Sequence, residues 1–357
     1  MTTSGSATDA TTGSGGLPAP GSEEWLALVA EPVVDPDREI VDPHHHLWPA
    51  GGSLPYGIDE LTADTGAGHR ITQTVFVECH AGYRDDGPEH LRPVGETEFV
   101  AGAADELVRR HPGASTIDGI VGHADLTHEG LDEILDAHDA ASGGRFVGIR
   151  DSLARALDPE AHMIPGGYAE GKAQDPAFRT GVRRLGERGL TYDSWLYHHQ
   201  IRDFADLARA VPGTTMVLDH FGTPIGVGRF AGRHDEIFET WRDDIAEVAA
   251  CENTVAKIGG LAMPDNGFGF HEAASPPTSD EFVAVQRRWY EHAIEVFGPS
   301  RCMFESNFPV DRFSISSTVM WNGLKRIAAA YDDAEQDEMF SGTARRVYGL
   351  ATPSSPA

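Results

Sequence analysis

Short apolar runs rich in β-branched residues alternate along this chain with longer stretches whose apolar positions recur every three or four residues. The first pattern predicts strands and the second predicts amphipathic helices. Eight strand segments stand out: EIVDPHHHLW (39–48), ITQTVFVECH (71–80), IDGIVGHADL (117–126), RFVGIRDSL (145–153), LTYDSWLYHH (190–199), TTMVLDHFG (214–222), NTVAKIGGL (253–261) and RCMFESNFPV (301–310). Their apolar runs are continuous rather than alternating, as expected of parallel strands buried on both faces.

The intervening segments carry helix punctuation. GETEFVAGAADELVRRHPG stops at Pro112-Gly113. DPAFRTGVRRLGERG opens on Asp175-Pro176 and stops at Gly189. TSDEFVAVQRRWYEHAIEVFG has Thr278 and Glu281 at capping-box spacing and ends at Gly298-Pro299. Eight strands, each followed by a helix, describe an α/β fold of the (β/α)8 TIM-barrel type. A doubly wound sheet is the alternative, but no G-x-G-x-x-G turn follows the first strand. Residues 1–22 are Ser/Thr/Gly/Ala-rich and read as a disordered tail. Residues 23–350 read as a single barrel domain and 351–357 as a flexible C-terminus.

Polar chemistry gathers at the far end of nearly every strand segment. The first ends in Asp42, His44 and His46, the second in Glu78 and His80, the third in His123 and Asp125. The fourth carries Arg150 and Asp151, the fifth Tyr197, His198 and His199, and the sixth Asp219-His220. The eighth carries Glu305, Asn307 and Asp311, while the seventh has Lys257 before Gly259-Gly260. Barrel active sites lie at the carboxyl ends of strands, so these residues predict one converging site. Strand alternation puts Asp42, His44 and His46 on one side and His45 on the other, and puts Glu305 on the side of Asn307 but roughly 7 Å deeper.

The formal net charge is −28, from 56 acidic and 28 basic residues. Such a surface repels nucleic-acid phosphates and anionic membranes. The partner expected is therefore a small-molecule substrate, with no nucleic acid and no membrane, and the oligomeric state is not readable. Cys79, Cys251 and Cys302 are widely spaced and form no C-x-x-C pair, which argues against a thiolate zinc site and against a disulfide framework. A reducing, cytoplasmic location is the corresponding expectation.

With D-P-H-H-H at 42–46, VLDHFGTP on the sixth strand and FESNFPVD on the eighth, the chain resembles the amidohydrolase-related proteins, in the branch of L-fuconolactonase and 2-pyrone-4,6-dicarboxylate lactonase. VFVECHAGY, GIVGHADL, FVGIR, YHHQI and AKIGGL support the resemblance over nearly the whole chain after the tail. It implies a hydrolase opening a lactone or similar cyclic ester of a small organic substrate, anionic or neutral. The alternatives are a metal-dependent decarboxylase of an aromatic or unsaturated acid, or an altered barrel that binds a ligand without chemistry. The H-x-H pair matches His44 and His46, the sixth-strand histidine matches His220, and a fifth-strand polar position matches His198 or His199. Where the family pattern has an aspartate that activates water, this chain has Asn307, an amide with no useful basicity.

The catalytic set expected is thus His44, His46, His220, Glu305 and Asn307, with Glu305, Glu78 or a histidine activating water and Asn307 positioning it. Substrate-binding candidates are Glu78, His80, His123, Arg150, Trp195, Tyr197, His198 and His199. Arg150 reads as a clamp for a carboxylate or lactone carbonyl. The bland counterparts are a salt bridge of Arg150 with Asp151, a structural pairing of Lys257 with Glu305, and packing roles for Trp195 and Tyr197. The cofactor is expected to be none, or one divalent ion, zinc if any, on His44, His46 and His220. Loops 154–174, 222–233 and 261–277 are expected to cover the barrel mouth.

Overall fold

The computed structural model describes residues 18–352. The expected tails at 1–17 and 353–357 lie outside the described residues. Of the stretch read as tail, residues 18–22 are described, and Ser22 there caps the short helix Glu23–Leu26 by accepting from Trp25 N.

The strands are β1 (Glu39–His45), β2 (Arg70–Val77), β3 (Thr116–Gly122), β4 (Phe146–Arg150), β5 (Thr191–Ser194), β6 (Met216–Leu218), β7 (Thr254–Ile258) and β8 (Cys302–Phe304). They pair in parallel in the order β1 to β8. Closure occurs just beyond β8, where Asn307 N donates to His44 O at 3.0 Å and His46 N donates to Phe308 O at 2.8 Å. Helices follow the strands, and the sheet is a (β/α)8 barrel. The caps read from sequence are formed: Asp175 accepts from Ala177 N at 2.8 Å, and Thr278 and Glu281 make the reciprocal capping box. No described helix is long and apolar enough to cross a membrane.

Strand alternation explains what fills the barrel. Val41, Val75, Val121, Val217, Val255 and Met303 form one buried cluster with Tyr348 of the last helix, Thr343–Tyr348. Each buried valine contributes roughly 1.5–3 kcal/mol. The outward residues between them, such as Tyr192, Leu218, Ala256, Ile258 and Phe304, belong to the larger core under the helices. Two residues on from an inward apolar residue comes the next inward position. From Val217 that is Asp219, from Val255 it is Lys257, and from Met303 it is Glu305. A layer of buried charge therefore sits directly on the valine layer.

All eight strands end earlier than the segments read from sequence, and in three of those segments a residue takes up a left-handed backbone. His80, His220 and Asn307 have φ of 59°, 52° and 54°, in the left-handed region. The chain turns there instead of extending. Alternation along β1 is also interrupted, by a register shift between Asp42 and His45.

Candidate active site

The centre of the site is Glu305. Its Oε1 accepts from His220 Nδ1 at 2.7 Å, and its Oε2 lies 2.9 Å from His44 Nδ1. His44 and Glu305 are fully buried, and His220 is 3% exposed. The left-handed turn at His220 swings its ring toward β7, where Gly260 makes room: a Cβ at Gly260 would fall 2.4 Å from His220 Nδ1. Gly260 thus makes room for the histidine and Gly259 for its partner, since a Cβ at Gly259 would fall 2.5 Å from Glu305 Cγ.

His46 Nδ1 donates to Val77 O at 2.7 Å. Its other nitrogen, Nε2, faces His44 Nε2 at 3.2 Å. Burial pushes the His46 pKa down to about 3, with Arg150 adding to the effect. Burial, then Lys257, holds His44 well below the ordinary histidine value.

Beneath this layer, Lys257 Nζ lies 2.8 Å from Asp193 Oδ2 and 3.1 Å from Asp219 Oδ1. Lys257 therefore pairs with Asp193 and Asp219 rather than with Glu305. Tyr348 donates to Asp193 Oδ2 at 2.5 Å. Burial alone would raise the pKa of Asp219, but Lys257 and Arg150 more than offset it and the net direction is down. For Asp193, burial outweighs Lys257 and the net direction is up.

Arg150 is bound to Glu78, not to Asp151. Its Nε donates to Glu78 Oε1 at 2.7 Å, another nitrogen reaches Glu78 O, and Nη1 lies 3.4 Å from Asp219 Oδ2 and 3.5 Å from His44 Nε2. Burial works against the Glu78 carboxylate, but the Arg150 guanidinium overrides it, leaving a pKa of about 2. A carboxylate so acidic is a poor base.

Above the charged layer lies a cavity of about 430 Å³. His46, His80, Glu78, Arg150, Trp195, Tyr197, His220 and Asn307 line it; His44 and Glu305 lie behind His46 and His220. His123, His198 and His199 are not on its lining. His123 is held by Arg150 O at 3.0 Å and packs on the His80 ring, while His198 and His199 pack on Phe230 at the outer edge. All three long loops contribute walls, through Met163 to Tyr168, Thr223 and Ile225, and Met263 to Asp265. Asp265 ties two of them together, accepting from Met163 N at 2.7 Å and Ile164 N at 3.2 Å.

Asn307 Nδ2 donates to Asp311 Oδ1 at 3.0 Å, and Asp311 Oδ2 accepts from Ala262 N at 3.0 Å. Asp311 thereby links the turn after β8 to the loop after β7, rather than serving only its own turn. It also fixes the amide, so that Asn307 Oδ1 is the atom left for the cavity.

A metal ion suits the donor set. Ligand-type atoms of His44, Asp219 and His220 lie within 4.8 Å of one another, so Asp219 joins two of the histidines the sequence suggested, and the third, His46, lies beside His44. The His44 and His46 Nε2 atoms both carry lone pairs if Glu305 and Val77 O hold the other nitrogens. Bare nitrogens 3.2 Å apart repel unless a cation or proton lies between them. Two ligands of a tetrahedral zinc, each at about 2.0–2.1 Å, lie at about that separation. His46 has its far nitrogen anchored on a carbonyl, and a carboxylate lies beside that of His44, surroundings of the kind that support metal-binding histidines. Four buried carboxylates (Glu78, Asp193, Asp219 and Glu305) also face only two permanent cations, Arg150 and Lys257.

The candidate list drawn from sequence omitted Asp193, Asp219, Asp265 and Tyr168. Counting by two from Val217 would have placed Asp219 inward beside Lys257. Asp265 and Tyr168 sit in loops, where no periodicity speaks.

A closed barrel with catalytic-type residues at its strand ends defines the class. The amidohydrolase family model matches residues 41–350, and the chain belongs to that family. It is 30% identical over 333 residues to the uncharacterized protein y4mH of Sinorhizobium fredii, covering 87% of this chain and 99% of that one. It is 28% identical over 327 residues to L-fucono-1,5-lactonase of Burkholderia multivorans, covering 88% and 97%. Among solved structures, an amidohydrolase from Burkholderia multivorans with bound Zn has a TM-score of 0.67 at 24% identity, covering 87% and 99%, a likeness of fold.

Proposed function

We propose that this amidohydrolase opens a lactone or similar cyclic ester by adding water to its carbonyl. The observation that carries the reading is the Glu305–His220 pair at 2.7 Å, which leaves His220 Nε2 on the cavity side. Such a carboxylate–imidazole pair supports proton transfer, because the carboxylate orients the ring and stabilises the imidazolium as it forms. The similarity to a lactonase over nearly the whole chain supports the choice of bond.

In the first step His220 Nε2 accepts a proton from water as the oxygen attacks the ester carbon. Asn307 Oδ1 accepts the second water hydrogen and aims the nucleophile. Arg150, on the cavity lining, is the cation nearest the carbonyl as negative charge develops on its oxygen. In the second step the ester C–O bond breaks and His220 returns the proton to the departing alkoxide. A carboxylic acid and a hydroxyl remain on the opened chain, and the acid releases its proton, the second from the water, to solvent. His44 and Asp219 would hold a divalent ion, with His46 Nε2 beside His44, and the chemistry it would supply there is carbonyl polarisation and a more acidic water.

The test is hydrolysis of a lactone panel by the purified protein and its His220→Ala variant. Ring opening by the first and its loss in a folded His220→Ala protein are the expected results. Undiminished activity in the variant would remove His220 from the mechanism.

A further inference from the structure

We infer that the substrate is a neutral lactone carrying an aryl or alkyl substituent, rather than a carboxylated or polyhydroxylated one. This rests on the hydrolytic reading above and concerns the wall of the same cavity.

Arg150 is the only Arg or Lys among the described residues lining the cavity. Its Nε and one Nη are committed to Glu78, and Nη1 faces Asp219. No fork of free donors is left to grip a substrate carboxylate, which is how arginine recognises one. Lys257 lies below the cavity between two aspartates. Of the two carboxylates on the lining, Asp265 has both oxygens filled by backbone amides. Glu78 Oε2 is buried without a hydrogen bond, so an anion entering beside it meets repulsion. At longer range the net charge of −28 repels anions as well.

Polyhydroxylated rings face a different obstacle. Trp48, Leu54, Met163, Ile164, Ile225 and Val310 line the upper wall. A hydroxyl placed against them loses its water and gains no partner. The Tyr197 hydroxyl is already engaged, accepting from Gly166 N at 2.8 Å and donating to Ile164 O at 3.2 Å. Trp195 Nε1 and Thr223 Oγ1 have no partner but are buried, which leaves the Tyr168 hydroxyl and the His80 ring on the lining, few polar groups for a polyhydroxylated ring. A cavity of about 430 Å³ takes a ring and one sizeable apolar substituent.

The experiment has two arms on the full-length protein. In the first, kcat/KM is measured for dihydrocoumarin and δ-nonalactone, for gluconolactone, and for muconolactone as the carboxylated probe. The two neutral apolar lactones are expected to exceed the others by at least about tenfold. In the second arm, calorimetry ranks three δ-lactams that resist hydrolysis, bearing a phenyl group, a carboxylate or several hydroxyls. The phenyl lactam is expected to bind tightest, again by at least about tenfold. If the lactams rank in this way but no lactone opens, the pocket inference holds and the hydrolytic reading fails. Lactone opening with the carboxylated or hydroxylated probe preferred leaves the hydrolytic reading intact and overturns the inference. Absence of phenyl-lactam binding overturns it too.

Discussion

Glu305 Oε1 lies 2.7 Å from His220 Nδ1, and the same carboxylate reaches His44 through its other oxygen at 2.9 Å. One buried group thus hydrogen-bonds one ring and lies beside the other. Glu305→Gln keeps the shape but removes the charge that supports an imidazolium. The expected result is a fall in kcat of about 10²–10⁴ with little change in KM. Steady-state kinetics on a variant with near-native circular dichroism checks this. A variant with unaltered kcat would show that Glu305 is only structural.

The amide at 307 is matched to its neighbour. Asn307 Nδ2 donates to Asp311, whose pKa burial raises to about 7. Asn307→Asp would replace that donor by a second carboxylate. The variant should be less stable than the parent by about 1–3 kcal/mol. The deficit should be smallest at pH 5.5, where Asp311 is protonated, and largest at pH 8.5. Urea unfolding at both values measures it. Equal stability, or a large gain in activity, would mean that the chain is poised for an aspartate there after all.

Lys257 is buried against Asp193 and Asp219. Lys257→Met strands both carboxylates and should cost about 3–5 kcal/mol. Adding Asp193→Asn to that variant should recover part of the loss, because the residues share one network. Chemical denaturation of the single and double variants checks the coupling. Strict additivity would contradict it.

Glu96 predicts a pH dependence away from the reacting groups. It accepts from Cys79 N at 3.0 Å and Ala81 N at 2.8 Å. Burial, then the nearby Glu78 charge, raises its pKa from 4.5 to about 8. The folded state therefore holds a proton that the unfolded state releases between those values. The contribution is full below pH 4.5 and is lost as pH rises through 8, with a slope of at most about 1.4 kcal/mol per pH unit. Glu96→Gln can accept the same two amides and does not titrate. Its stability relative to the parent should improve steadily from pH 5 to 8. A constant difference would mean that Glu96 is ionised in the fold.

Strand count and barrel closure were legible because buried parallel strands leave continuous apolar runs, and the polar strand ends pointed to the mouth. The histidine pair could be read from β1, and the left-handed turns could not. Alternation alone puts His220 on the side opposite Asp219, yet its φ of 52° brings both into one cluster. Arg150 shows the other limit. Its place at the end of β4 was clear, but whether its fork was free depended on Glu78 from β2, a contact across two strands. Likewise, nothing local to SNFP shows that Asp311 fixes the Asn307 amide, or that Asp265 laces two mouth loops together.

The central claim is that water, deprotonated by His220 on Glu305, attacks a lactone carbonyl. The most direct measurement is turnover of a neutral lactone in ¹⁸O-water, followed by mass spectrometry of the ring-opened product. The account predicts one ¹⁸O in the new carboxylate and none in the released hydroxyl. Label in the hydroxyl, or no ring opening of any lactone in the panel, would contradict it.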